Sequence, residues 1–413
     1  MNSYSVNGGK CFHQTVVCIC ALVWALSLFG PTACFGGGGF EALKSFIGPE
    51  DALLIADPRG GVMVSKNAGE NLVPASILKV FTSLEALHYL GSDFRFQTEF
   101  YLDQESNLKI KGFGDPLLVS EIVNGLSRLL AALIGNSIKI NDLIVDDSYF
   151  NRPLTIPGIS SSLQPYDAPN GALCVNFNTV FFKRIGSGYS SAEPQTPLLP
   201  YIERKIKALK LKSGRIVLSH IENENTIYAG KLFRYFLEQN GLQCRGKVKL
   251  GRVTQDQDEL IYRYVSRFSM QQLIARLLEH SNNFAANQLF IASGIKAAGP
   301  PGNIKKGVAA ALAYAKEVLQ IDDMTLAEGS GISRKNRISA LSMHRILEAF
   351  VPYHQLMRHE GREYYKTGTL NGVSTRAGYI VGENDGLYRY VIMMNTPGKS
   401  ARPVSRRLLR ALQ

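Results

Sequence analysis

The chain has little with which to build a metal centre or a disulfide framework. Its 413 residues include six cysteines, seven histidines and one tryptophan. Cys11, Cys18, Cys20 and Cys34 crowd the start of the chain and leave only Cys174 and Cys244 beyond it. Spacing cannot bring those two together, so a disulfide and two unpaired buried thiols stay equally open. His354 and His359 lie five apart and His280 ends a helical run, which is not ligand spacing, so no metal and no cofactor is expected. Charged residues are scarce at 19% against 45% apolar, which excludes a disordered chain and allows a large core in two or three domains. The net charge of +12 comes without zinc-finger spacing, a basic helix through a groove or an aromatic RNA-binding motif, so no nucleic acid is expected as partner. That charge suits an anionic polymer and peripheral contact with a membrane surface. There is no internal repeat, and the Gly36–Gly39 tract is the one low-complexity stretch.

The sequence also lacks an apolar run of comfortable membrane-spanning length. Val16 to Phe29 is shorter, follows Lys10 and His13, and precedes small residues at Thr32, Ala33 and Gly36. This is the pattern of an export signal over residues 1–36, with a mature start between Cys34 and Phe40. Pro31 departs from a lipoprotein box, which leaves lipidation at Cys34 and an uncleaved anchor as alternatives.

What is present is organised around Pro74-Ala75-Ser76-Ile77-Leu78-Lys79. Ile77, Val80, Phe81, Leu84, Leu87 and Leu90 recur three or four apart, and Gly91 stops the run, so a helix begins here. Ser76 then sits at a positive helix start with Lys79 one turn on, on the same face. An amine beside a serine makes a nucleophile if burial or neighbouring cations keep it neutral. An isolated Ser-x-x-Lys is more often a plain helix start with a solvated lysine, and Ser106-Asn107-Leu108-Lys109 matches the pattern too.

Two later stretches decide between these readings. Ser281-Asn282-Asn283 lies between the helical runs Met270–His280 and Phe284–Ile291, and Lys366-Thr367-Gly368-Thr369 follows in a strand-like segment. Lys212-Ser213-Gly214 comes too early in the order. Ser-x-x-Lys, Ser-x-Asn and Lys-Thr-Gly, in that order, mark penicillin-binding proteins and serine β-lactamases. With Gly112-Phe113-Gly114-Asp115-Pro116, Gly329-Ser330-Gly331-Ile332-Ser333-Arg334, the continuation Leu370-Asn371-Gly372-Val373 and Arg376-Ala377-Gly378-Tyr379-Ile380, the chain resembles the D-alanyl-D-alanine carboxypeptidase/endopeptidase family of the penicillin-binding protein 4 type, serine peptidase family S13. The likeness runs from Asp51 to Asn395, with Glu328 where the family usually has Asp and a somewhat short stretch between the first two motifs.

The resemblance implies an exported enzyme of the periplasm or cell envelope that acts on peptidoglycan stem peptides ending in D-Ala-D-Ala, with β-lactam antibiotics as covalent inhibitors. It makes Ser76 the nucleophile, Lys79 its base, Ser281 a proton relay and Asn283 a holder of substrate and Lys79. Lys366 supplies positive charge, Thr367 binds the terminal carboxylate, Gly368 lets the strand approach, and Ser76 and Thr369 give the oxyanion-hole amides. Ser330 and Arg334 line the cleft. A β-lactamase of class A would carry a Glu-x-x-Leu-Asn setting between Ser281 and Lys366, and none is there; a binding protein without activity would have lost Ser76 or Lys79, and both are present.

The implied fold is α/β in the α+β sense: the penicillin-binding-protein/β-lactamase-like transpeptidase fold, an antiparallel sheet beside a helical lobe, with an inserted α+β region between the first and second motifs. Alternation and turn signals place strands at Ala52–Ile55, Gly61–Ser65, Tyr364–Thr369, Thr375–Val381 and Tyr388–Asn395, with a turn at Glu383–Gly386. Arg402–Leu412 reads as a basic amphipathic helix over one sheet face. The catalytic domain is expected over residues 40–91 and 226–413, with the insertion over 92–225.

Overall fold

The computed structural model describes residues 40–412 except Asn136, Glu383 and Asn384. The stretch expected to be an export signal, with Cys34, and the Glu383–Asn384 half of the last expected turn lie outside the described residues. Strands β1 (Asp51–Ala56) and β2 (Val62–Lys66) open the fold, and α1 (Leu78–Leu90) follows a single 3-10 turn over Ala75–Ile77. The apolar run in β1 is explained by burial along its whole length.

A second region begins after α1. It holds β3 (Gln97–Leu102), β4 (Leu108–Gly112), α2 (Ser120–Ile134), β5 (Leu143–Asp146), β6 (Thr179–Ile185), β7 (Gly188–Ser191), α3 (Pro200–Ala208), β8 (Ser213–Val217), α4 (Glu224–Gln239), β9 (Val248–Leu250) and β10 (Glu259–Val265). Its larger sheet runs β10-β3-β4-β5-β9, and a small sheet runs β7-β6-β8. One core joins Phe100, Ile110 and Val145 of the sheet to Val123 and Leu130 of α2 and to Leu232 and Phe233 of α4. Because α4, β9 and β10 belong to this core and sheet, we propose that the inserted region ends near Ser266 rather than at Asn225. An extended segment over Asn176–Phe182 is legible in the sequence and overlaps β6, but α3, β7 and β8 have no counterpart there: β7 is only Gly188–Ser191, too short and polar to give a period.

The chain then forms α5 (Met270–His280), α6 (Asn283–Ala298), α7 (Ile304–Glu317) and α8 (Ala340–Phe350), followed by β11 (Arg358–Glu360), β12 (Glu363–Leu370), β13 (Val373–Val381), β14 (Leu387–Met394) and α9 (Ala401–Ala411). The first sheet is antiparallel in the order β11-β12-β13-β14-β1-β2. Leu53 pairs with Ile392, so the first strand closes against the last. Alternation sorts the strand residues between two layers. Ala52, Leu54, Ala377 and Val391 face α1, α5, α6 and α8. Leu53, Ile55, Ile380 and Ile392 face Val404 and Leu408 of α9. The expected cover helix is therefore in place, and its arginines 402, 406 and 407 are exposed. Cys174 and Cys244 are free and buried, and burial raises their thiols to about 12 and about 11, so neither is a thiolate near neutral pH. No helix among the described residues is long and apolar enough to cross a membrane.

Candidate active site

The three motifs meet where the 3-10 turn ahead of α1, the α5–α6 connector and β12 converge. Ser76 occupies the 3-10 turn, so its peptide N–H lies among the unpaired donors of a helix start. The residue before it, Ala75, is buried with φ at +49°, a left-handed conformation that costs a non-glycine residue about 1–2 kcal/mol. Neighbours hold it there. Thr375 Oγ1 donates to the Pro74 carbonyl at 2.7 Å. Gly331, with φ at +83°, lies so close that a Cβ on it would overlap the Ala75 carbonyl oxygen. Nothing in an alanine announces such a strain, so the sequence reading missed it.

Lys79 is fully buried. Its Nζ lies 2.8 Å from Ser76 Oγ, 2.7 Å from Asn283 Oδ1 and 2.6 Å from the Ser330 carbonyl. Two of these three neighbours are carbonyl-type acceptors, which a neutral amine satisfies with its two hydrogens. Its lone pair is then left for the Ser76 hydroxyl. Burial lowers the Lys79 pKa well below that of an ordinary lysine, the Lys366 charge lowers it further, and Glu328 opposes them.

Asn283 is the first residue of α6, and Asn282 rather than Asn283 caps that helix, accepting from the Ala285 N–H at 3.0 Å. The Asn283 side chain is thus free of capping. Its Nδ2 turns toward the Tyr166 carbonyl at 3.4 Å, a contact from the inserted region that sequence alone did not reveal. Ser281 ends α5 with φ at +52°, and its Oγ accepts from Lys366 Nζ at 2.7 Å. Lys366 also donates to the Thr367 carbonyl at 2.7 Å. Burial first, then the charge of Arg358, bring Lys366 down to about 8, against the pull of Glu279.

Thr367 and Thr369 are exposed on β12, with Gly368 buried between them. A Cβ at Gly368 would lie 2.7 Å from the Ser76 nitrogen and 2.9 Å from Ala75 Cβ. The glycine therefore admits the Ser76 turn itself, a reason different from the expected approach of substrate.

The expectation that the Ser330 side chain lines the cleft is corrected. Ser330 is fully buried and its hydroxyl donates to Glu328 at 2.6 Å; only its carbonyl reaches the site, at Lys79. Glu328 is the centre of this loop. Its buried carboxylate also accepts from the N–H groups of Ser330 (2.7 Å), Gly331 (2.8 Å) and Ser333 (3.2 Å), and from Asn336 (2.7 Å) and Asn287 (3.0 Å). Thr82 on α1 donates to the Gly329 carbonyl at 2.6 Å, so the loop is fastened to the helix that bears Lys79. Arg334 is exposed and donates to the Asn371 carbonyl in the β12–β13 turn.

The rival matches lie elsewhere. Ser106 is in the β3–β4 turn with φ at +61°. Burial lowers the Lys109 pKa, but the carboxylate of Asp258 at 2.7 Å carries it above the ordinary value, so Lys109 stays a cation. Lys212 stands just before β8 in the small sheet. No cluster of three metal-ligating side chains occurs among the described residues.

Residues 52–208 and 191–359 match the model of the D-Ala-D-Ala carboxypeptidase 3 (S13) family, which is more than half of the chain. The chain belongs to that family. It is thus a serine DD-peptidase. It is 26% identical over 397 residues to a D-alanyl-D-alanine carboxypeptidase of an Actinomadura species, covering 78% of this chain and 73% of that protein. It is 24% identical over 363 residues to the D-alanyl-D-alanine carboxypeptidase DacB of Haemophilus influenzae, covering 77% and 74%. The solved penicillin binding protein 4 (dacB) of H. influenzae superposes with a TM-score of 0.73 at 21% identity, over 90% of this chain and 98% of that one. A predatory endopeptidase of Bdellovibrio bacteriovorus superposes at 0.53 with 16% identity, over 87% and 92%. These likenesses establish the penicillin-binding fold expected from the motifs.

Proposed function

We propose that Ser76 is the nucleophile that opens the peptide bond before a terminal D-Ala of a peptidoglycan stem peptide, with Lys79 as its base. The observation that carries the reading is the placement of the buried Lys79 amine between the Ser76 hydroxyl and two carbonyl acceptors. Lys79 takes the Ser76 proton as Oγ adds to the carbonyl carbon. The oxygen that becomes negative is held by the N–H groups of Ser76 and Thr369, donors of a kind worth about 3 kcal/mol each in the transition state. The C–N bond then breaks. The proton passes from Lys79 through Ser281 to the departing amine, leaving an ester on Ser76 that water hydrolyses. Lys366 and Thr367 meet the terminal carboxylate, Asn283 the substrate amide, and Arg334 the rim of the cleft. The motivation for the carboxylate site is a buried cation beside an exposed hydroxyl at the edge of β12.

The same chemistry serves terminal trimming and the cleavage of D-Ala-diaminopimelate cross-links, and the enzyme acts in the cell envelope, outside the cytoplasm. The complex of the H. influenzae protein with a β-lactam, at a TM-score of 0.69, supports β-lactams as covalent inhibitors here. Incubation with a fluorescent penicillin should label the wild type stoichiometrically, and Ser76→Ala should take no label. Label that persists in Ser76→Ala, or that maps to Ser106, refutes the assignment.

A further inference from the structure

A hollow of about 330 Å³ opens against one face of α5 and beside the Ser281–Asn283 connector. Leu117, Leu273 and Leu277 give it an apolar lining, Arg267 and Arg276 stand at it, and among the described residues no acidic side chain lines it. Both guanidinium groups stack on Phe268, with their central carbons 4.8 and 4.6 Å from the ring centre. Two cations on one ring stand within about one Debye length, roughly 10 Å, and repel each other. Among the described residues neither is in an ion pair. A pair of planar, unpaired donors beside an apolar lining is complementary to a carboxylate on a partly apolar chain.

Phe177 also lines the hollow, and its backbone is built at a cost. Asn176, Phe177 and Asn178 have φ of +50°, +57° and +53°, three consecutive left-handed residues. Such a run persists only where its surroundings impose it. Here two buried asparagines do so. Asn176 accepts from the Ser120 N–H at 2.9 Å and donates to the Ser120 hydroxyl at 2.8 Å, while Asn178 donates to the Pro169 carbonyl at 2.8 Å. The ring so held packs edge-on against Phe284 of α6, at 6.2 Å. Asn282, the middle residue of the second motif, also lines the hollow, so its occupant would lie next to the catalytic connector.

We propose that this hollow is a second substrate subsite that takes an acidic peptide arm of peptidoglycan, the carboxylate between Arg267 and Arg276 and the apolar part against Phe177. The proposal rests on the DD-peptidase reading and adds a site outside the Ser76 cleft. In a cross-linked substrate one arm enters the cleft and a second carboxylate-bearing arm is available to the hollow.

The test separates the two sites by blocking the first. Wild-type enzyme is acylated with penicillin, and mass spectrometry verifies one adduct per chain. The acylated enzyme is then titrated calorimetrically with the free stem tetrapeptide L-Ala-γ-D-Glu-diaminopimelate-D-Ala, and separately with inorganic phosphate. The expected result is saturable one-to-one binding of the tetrapeptide that phosphate does not displace. The double variant Arg267→Gln/Arg276→Gln, acylated to the same extent and hence folded, should bind it about tenfold or more weakly, as loss of charge-assisted hydrogen bonds requires. Phe177→Ala should weaken it as well. No binding to the acylated wild type, unchanged binding by the arginine variant, or equal competition by phosphate overturns the subsite. Failure of penicillin to acylate the wild type is seen before any titration and overturns the serine reading instead.

Discussion

Lys366 Nζ donates to Ser281 Oγ at 2.7 Å, and this bond ties the sheet, through β12, to the connector between α5 and α6. The Lys366 charge lowers the Lys79 pKa, and in the proposed mechanism it also meets the substrate carboxylate. Because Lys366 is brought down to about 8, its charge is lost as pH rises through that value. The kcat/KM profile for a D-Ala-D-Ala peptide should therefore fall on its alkaline side near pH 8. Lys366→Arg keeps the charge far above that pH and should move the limb upward with a milder loss of rate. An alkaline limb that stays in place in Lys366→Arg assigns it to another group.

Lys79 is asked to be neutral, which an arginine cannot be. Lys79→Arg should lower the rate of penicillin acylation about a thousandfold, within the usual contribution of a general base. The rate is measured by stopped-flow or quenched labelling, with thermal melting to verify the fold. If Lys79→Arg is acylated faster than Lys366→Arg, the two roles are reversed.

Glu328 holds the loop whose Ser330 carbonyl accepts from Lys79, so the loop and the position of the Lys79 amine are coupled. Glu328→Gln replaces an acceptor-only carboxylate by an amide that turns two donors toward N–H groups. Breaking so buried a network should cost roughly 3 kcal/mol of stability and slow acylation. Glu328→Asp restores the charge with one methylene less and should fall between. Denaturant melts and acylation rates read both effects, and a Gln variant equal to wild type in both would leave Glu328 without this function.

Much of this site was legible because its chemistry is local. Ser76 and Lys79 share one helix face, and Ser281 and Asn283 share one connector, so spacing suffices to pair them. The meander of β12, β13 and β14 was legible from alternation and tight turns, but its pairing with β1 is fixed by contacts some three hundred residues apart, which no local pattern carries. Other features depend on packing that leaves no period in the chain. The strain at Ala75 is imposed by Gly331 and Thr375 from two distant segments. Ser330 was misread because its motif gives no direction for a hydroxyl, and the buried Glu328 turns it inward. The approach of Tyr166 comes from the insertion, whose short strands carry little signal.

Penicillin should form a long-lived adduct while the peptide turns over. With a peptide, the departing D-amino acid diffuses away and water reaches the ester. With penicillin, the amine stays tethered to the acyl group and blocks that approach. The chain has no Glu-x-x-Leu-Asn setting between Ser281 and Lys366 to drive water past it. Release of hydrolysed penicillin after a chase should be slow beside D-Ala release by the same sample. Rapid penicillin turnover without D-Ala release would make the enzyme a lactamase.

Asp115, from the Gly-Phe-Gly-Asp-Pro stretch, makes stability depend on pH in a direction opposite to that of most carboxylates. It is fully buried. One oxygen accepts from the Leu117 N–H at 2.8 Å, and the other has no partner. Burial raises its pKa from 3.8 to about 6, against the opposing pull of the Leu117 hydrogen bond. The folded state thus holds a proton that the unfolded state releases. The stability contributed by this proton is complete below about pH 4 and is lost as pH rises through about 6, in all about 3 kcal/mol for a shift of some two units. Asp51 acts the other way: although burial raises its pKa, the bond from Lys399 and those from Gly48 and Thr396 bring it below the ordinary value, so its contribution is lost as pH falls. Comparing wild type with Asp115→Asn cancels Asp51 and every other group the two proteins share. Asparagine keeps the acceptor for Leu117 and needs no proton. Its stability relative to wild type, from urea melts, should therefore rise by about 3 kcal/mol between pH 4 and pH 7, with the midpoint of the change between the two pKa values. A difference that stays constant across that range would show that Asp115 keeps one protonation state throughout.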